Sequence, residues 1–158
     1  MLKVRVACVG TIKEKYFSDA VAEYSKRISR FAEFSIREVK EENFVTTPTP
    51  AEAQKILSIE SERLEKEIKG YVICLAIEGK KISSEGLAQK IADLKSKGEG
   101  EITFVIGGSY GISNQLKQRA DERISMSDMT FPHTLARVML TEQIYRAFMI
   151  ESGAKYHK

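Results

Sequence analysis

Ile102-Thr103-Phe104-Val105-Ile106-Gly107-Gly108-Ser109-Tyr110-Gly111 is the stretch on which the fold turns. Five uncharged, mostly apolar residues in a row suit a strand covered on both faces, which points to a parallel strand between two layers of helix. The glycines at its end let backbone approach a ligand and leave amide hydrogens free of side-chain cover. Tyr71 to Ile77 is a second run of this kind, and Leu2 to Val9 and Phe34 to Val39 also read as strands. Helical spacing fills the gaps. One helix is expected from about Lys13, with Tyr16, Phe17, Ala20, Val21, Tyr24 and Ile28 on one face. A second runs from Ala51 to Lys69 on a stripe of Ala53, Ile56, Leu57, Leu64 and Ile68. A third is capped by Ser83 or Ser84 and turns Leu87, Ala88, Ile91 and Leu94 inward. A short helix around Asn114 to Ala120, a short strand around Ile124 to Met126 and a long helix opened by Pro132 complete the pattern. Lys40 to Pro50, with two of the three prolines, is the loop of the first half. Strand and helix alternate throughout, so the expected fold is α/β: a mainly parallel sheet flanked by helices, one domain over residues 1–158.

The chain has 158 residues, 42% hydrophobic and 30% charged, the balance of a single globular core. Its net charge of +3 is spread as +2, −1 and +2 over residues 1–48, 49–111 and 112–158. With no basic arm, a nucleic-acid partner must be met by a folded surface or by two subunits together. Cys8 and Cys74 lie inside apolar runs with no ligand spacing around them, so they read as buried thiols and no metal is expected. No stretch approaches a membrane span and the first ten residues lack a signal peptide's apolar core, which makes the cytoplasm the expected location.

Ligands of such folds bind beyond the carboxyl ends of the strands. Three loops follow strands there: Leu75-Ala76-Ile77-Glu78-Gly79, Ile106-Gly107-Gly108, and Met126-Ser127-Asp128-Met129-Thr130-Phe131. Apolar side chains beside free backbone groups suit a flat aromatic ligand such as adenine. A nicotinamide fingerprint would place its glycines after the first strand, which has only Val9-Gly10-Thr11-Ile12. The spacing G-G-x-x-G after a later strand serves a tight turn equally well. Two histidines offer proton chemistry: His133 in the first turn of the last helix, and His157 in the terminal Tyr156-His157-Lys158. A terminal tripeptide of this kind is ordinarily frayed. Arg137, Glu142, Gln143 and Arg146 recur at helical spacing, as a solvated face also would.

Taken together, Val105-Ile106-Gly107-Gly108-Ser109-x-Gly111, Met126-Ser127-x-Met129-Thr130-Phe131-Pro132-His133, Arg137-x-x-Leu140-x-Glu142-Gln143-x-Tyr145-Arg146-Ala147 and Tyr156-His157-Lys158 resemble the small trefoil-knot methyltransferases of the SPOUT class. Lys13-Glu14-Lys15-Tyr16 and Ser83-Ser84-Glu85-Gly86-Leu87-Ala88 extend the likeness over the whole chain. Within that class the sequence resembles the enzymes that methylate N3 of a pseudouridine in the large-subunit ribosomal RNA of the assembled ribosome. The resemblance implies a C-terminal knot and a homodimer. It also implies S-adenosylmethionine held by positions matching Leu75, Gly107, Met126, Ser127, Asp128, Met129, Thr130 and Phe131. Proton removal from N3 falls to His157 or Tyr156 on this reading, and Arg137 or Arg146 faces the charge on the uracil oxygens. A ribosome-binding factor that kept the cofactor fold without catalysis is the alternative.

Overall fold

A computed structural model describes residues 1–158. Five strands, β1 (Lys3–Val9), β2 (Glu33–Val39), β3 (Tyr71–Lys81), β4 (Glu101–Ile106) and β5 (Glu122–Ser125), form one sheet in the order β2-β1-β4-β3-β5. Every neighbouring pair is parallel, so the sheet is wholly rather than mainly parallel. The helices are α1 (Lys15–Ile28), α2 (Pro50–Glu65), α3 (Ser84–Ser96), α4 (Asn114–Arg119) and α5 (His133–Glu151).

Side chains alternate across the strands and make two cores. Val4, Val6, Cys8, Ile73, Ile102, Phe104 and Ile106 face α1, α3 and α5. Ala7, Val9, Val72, Cys74 and Val105 face α2 and α4. The two cysteines therefore lie on opposite faces of the sheet. Burial pushes the Cys8 thiol up to about 12 and the Cys74 thiol up to about 11, so both stay protonated and unreactive.

Local chemistry sets the helix starts. Thr49 closes a capping box with Glu52 ahead of Pro50, while Ser83 accepts the Gly86 amide and Ser113 that of Leu116. α1 begins at Lys15 rather than Lys13, and Tyr16 stands in solvent instead of on the buried stripe. Pro132 caps α5 from outside instead of opening it.

β3 runs beyond the expected end at Ile77 because the chain meets β5 twice. Leu75 and then Lys80 both align with Ile124, and residues 76–79 bulge out between them. Gly79 lies so close to β5 that a methyl group there would come within 2.8 Å of the Arg123 and Ile124 backbone.

Candidate active site

The bulge after Leu75, the turn after β4 and the segment after β5 reach the same edge of the sheet. Between them lies a cavity of about 260 Å³, near the lower end of the roughly 300–1,000 Å³ typical of small-molecule sites. Leu75, Gly107, Met126, Ser127, Met129, Thr130 and Phe131 all line it. Asp128 does not: its carboxylate turns outward to the Lys81 ammonium, 2.5 Å away.

Backbone shape dominates the glycine turn. Gly111 has φ +86°, and Gly108 and Gly111 form an isolated bridge that folds the turn on itself. A methyl group at Gly107 would sit 2.2 Å from the Gly111 carbonyl oxygen. Any larger residue therefore breaks the turn before it crowds a ligand. Ser125 donates to the Ser127 carbonyl, and the Ser127 hydroxyl accepts the Met129 amide, which curls the third loop. The Lys117 ammonium donates to Glu78 at the cavity wall and holds that carboxyl below its usual range. Ile77, Tyr110 and Met129, one from each loop, are large apolar side chains left exposed around the opening.

Sequence reading missed Ile112, Lys117 and Ala136 in the lining. The Leu75–Gly79 loop, which it did place there, arrives as a bulge that nothing in the local pattern announces. His133 also reaches the cavity, from the first turn of α5.

Arg137 is elsewhere. Its side chain is 2% exposed, and its guanidinium donates to Glu38 at 2.5 Å and to the carbonyls of Val9 at 3.2 Å and Gly10 at 3.0 Å. It closes the carboxyl end of β1 against α5 and is not presented to the cavity.

The terminal tripeptide is docked rather than frayed. Tyr156 donates from its hydroxyl to Glu142 at 3.0 Å, packs edge-on against Tyr145 and lies under the Arg146 guanidinium. Desolvation and that hydrogen bond push the phenol up to about 12, so it keeps its proton at neutral pH. His157 donates from Nε2 to Glu85 at 2.5 Å, and its Nδ1 lies 3.1 Å from Arg146 Nη1. Arg146 is in turn bound to Glu142. Glu142 also lines a second cavity of about 230 Å³, which shares Ile124 and Met126 with the first. Glu142, which anchors the tail, thus lines a cavity that adjoins the first.

No group of acidic, histidine and cysteine side chains has a geometry that would hold a metal ion, and no helix is long and apolar enough to cross a membrane. The apolar walls and glycine backbone of the cavity suit a flat aromatic group such as the adenine of S-adenosylmethionine.

A family model described as "Predicted SPOUT methyltransferase" matches residues 2–157. The chain is 50% identical to the ribosomal RNA large subunit methyltransferase H of Lactobacillus helveticus and 48% identical to that of Streptococcus uberis. In each case the likeness spans 99% of this chain and 100% of the relative. Among solved structures, a probable methylase family protein of Haemophilus influenzae superposes with TM-score 0.54 at 14% identity, over 98% of this chain and 70% of that one. A Legionella pneumophila methyltransferase solved with its cofactor SAM superposes with TM-score 0.52 at 12% identity, over 92% and 66%. At such identities these two likenesses speak for the fold.

Proposed function

The chain belongs to the SPOUT methyltransferase family, and from that premise we propose that it transfers a methyl group from S-adenosylmethionine to N3 of a pseudouridine in large-subunit ribosomal RNA. It is a 23S ribosomal RNA methyltransferase of the H type, and its cofactor is S-adenosylmethionine. The observation that carries the reading is the convergence of three strand-end loops on one apolar cavity walled by glycine backbone.

Bound there, the cofactor supplies an electrophilic methyl group. The chain's own residues must align the base behind it, and orientation is worth roughly 7–11 kcal/mol in reactions of this kind. They must also relieve N3 of its proton. We assign that step to His157, which must first let go of Arg146 at Nδ1. Tyr156, fixed to Glu142, holds the tail in place. With Arg137 buried, Arg146 is the cation left to face the uracil oxygens.

The active form on this reading is a cytoplasmic homodimer acting on the assembled ribosome. Arg137, Tyr145 and Phe148 are buried inside the protomer and closed to a partner, which leaves the other side of α5 as the interface we propose. Leu135, Val138 and Met139 are only half-buried there and form an apolar strip beside Glu142.

Incubation with tritiated cofactor and ribosomes, isolated subunits or naked RNA tests the function. Label is expected on a pseudouridine of large-subunit RNA in assembled ribosomes. Cofactor binding with no transfer to any of the three would refute it.

A further inference from the structure

Glu60 is a charged residue in the wrong place for a surface helix. It sits on α2 with 2% of its surface exposed, among the most buried side chains of the protein. One carboxylate oxygen, Oε2, accepts the backbone amide of Glu42 at 3.1 Å. The other, Oε1, is buried without any hydrogen-bond partner. Burying a carboxylate with half its acceptors idle is costly, so an arrangement of this kind calls for an explanation beyond packing.

The explanation lies in what the carboxylate faces. A methyl group at Gly108 would meet Oε1 at 3.0 Å, Oε2 at 3.4 Å and Val9 Cγ1 at 3.1 Å. Gly108 belongs to the glycine turn and lines the cofactor cavity from the opposite side. The next residue, Ser61, is also buried, and its hydroxyl accepts the backbone amide of Ser113 at 3.0 Å, just beyond the turn. α2 thus holds the glycine turn at both ends, Glu60 behind Gly108 and Ser61 at Ser113. The same helix holds the loop between Lys40 and Pro50. Glu60 takes the Glu42 amide, and Arg63 donates to the Lys40 carbonyl at 2.9 Å and pairs with Glu42 at 2.7 Å.

We propose that Glu60 is a positioning residue for the cofactor: its carboxylate backs the Gly107–Gly111 turn and couples the Lys40–Pro50 loop to it, so that the cavity keeps the width the ligand needs. It touches neither cofactor nor base and acts through Gly108. Burial, the first of several influences, raises its carboxyl above the usual range, while the Glu42 amide opposes that rise.

The inference rests on the reading of the cavity as the S-adenosylmethionine site, and the two fail differently. If the unaltered protein does not bind S-adenosylmethionine in a calorimeter, that reading fails. If it binds, the test is a cycle of Glu60→Ala, Gly108→Ala and the double variant, each checked for folding by thermal unfolding. Glu60→Ala is expected to weaken binding about tenfold while kcat at saturating cofactor stays within about twofold. Glu60→Gln, which keeps an acceptor for the Glu42 amide and nearly the same shape, is expected to recover affinity to within about threefold. Gly108→Ala pushes a carbon onto Oε1, so its loss of affinity should shrink when the carboxylate is absent. If Glu60→Ala does not fold, Glu60→Asp, one methylene shorter, replaces it in every arm. Unchanged affinity in the folded Glu60 variant, or strictly independent effects of the two substitutions, would overturn the proposal.

Discussion

At the carboxyl ends of β3, β4 and β5 the cavity wall is mostly backbone and apolar carbon. Around the carboxyl end of α5, by contrast, Glu85, Glu142, Arg146, Tyr156 and His157 are joined side chain to side chain. The first region is stiff because its glycine turn is folded back on itself and braced by α2. The second is held by polar contacts at the surface, individually weak and easily exchanged. One is suited to bind a cofactor of fixed shape. The other is suited to let go of its own partners when a substrate arrives.

The sharpest way to break the comparison is at Gly107. Because a β-carbon there would strike the Gly111 carbonyl at 2.2 Å, even Gly107→Ala must open the turn. In a folded variant cofactor affinity is expected to fall, and methyl transfer by at least about a hundredfold, the scale on which a misplacement of about 1 Å is felt in a reaction rate. Calorimetry that finds unaltered binding would show that the turn's shape does not matter.

Removing residues 156–158 should do the opposite. The loops remain, so S-adenosylmethionine should bind within about twofold, yet methyl transfer to ribosomes should fall by roughly a hundredfold, as expected for losing acid–base help or alignment. His157→Ala alone should reproduce most of that loss if the imidazole takes the proton, and little of it if the tail only covers the site. Full activity of the truncated protein would return the tail to the status of an idle terminus.

A smaller effect is expected on the exposed side of α5. Val138→Asp buries an unpaired charge in the apolar strip and should yield monomers by sedimentation, with cofactor affinity nearly intact and transfer reduced. A dimer undisturbed by this change would place the interface elsewhere.

Acid should loosen the tail. The hydrogen bond from His157 is the main reason that the Glu85 carboxyl lies below its ordinary value of 4.5. A carboxyl depressed in the folded state stabilises that state above its ordinary value, and the contribution is lost as pH falls through the lowered one. Digestion of the terminus by a carboxypeptidase should therefore accelerate below about 4.5, the ordinary value. Glu85→Gln should show faster digestion already at neutral pH. Because Glu85 is well exposed, added salt should blunt the difference.

These two regions were also unequally legible. Apolar runs such as Tyr71 to Ile77 and Ile102 to Ile106 announce strands buried on both faces, because covering both faces excludes polar residues whatever their partners are. The glycines after β4 announce a turn for the equally local reason that only they tolerate its shape. That was enough for the fold class, for seven of the cavity's residues and, through the motifs, for the family.

Other features depend on what arrives from far along the chain. Glu60 and Ser61 look like the solvent side of α2, and only the approach of Gly108 and Ser113 turns that side inward. Arg137 looks like a free cation until Glu38 and the carbonyls ending β1 enclose it. His157 looks frayed until Glu85, 72 positions away, is beside it. Sequence alone determined the parallel α/β layers and the glycine turn, because each follows from burial and backbone sterics acting over a few neighbouring residues. Tertiary structure alone decided which polar side chains are buried, paired or presented, because a side chain's charge and hydrogen bonds acquire their meaning from partners that only folding brings within reach.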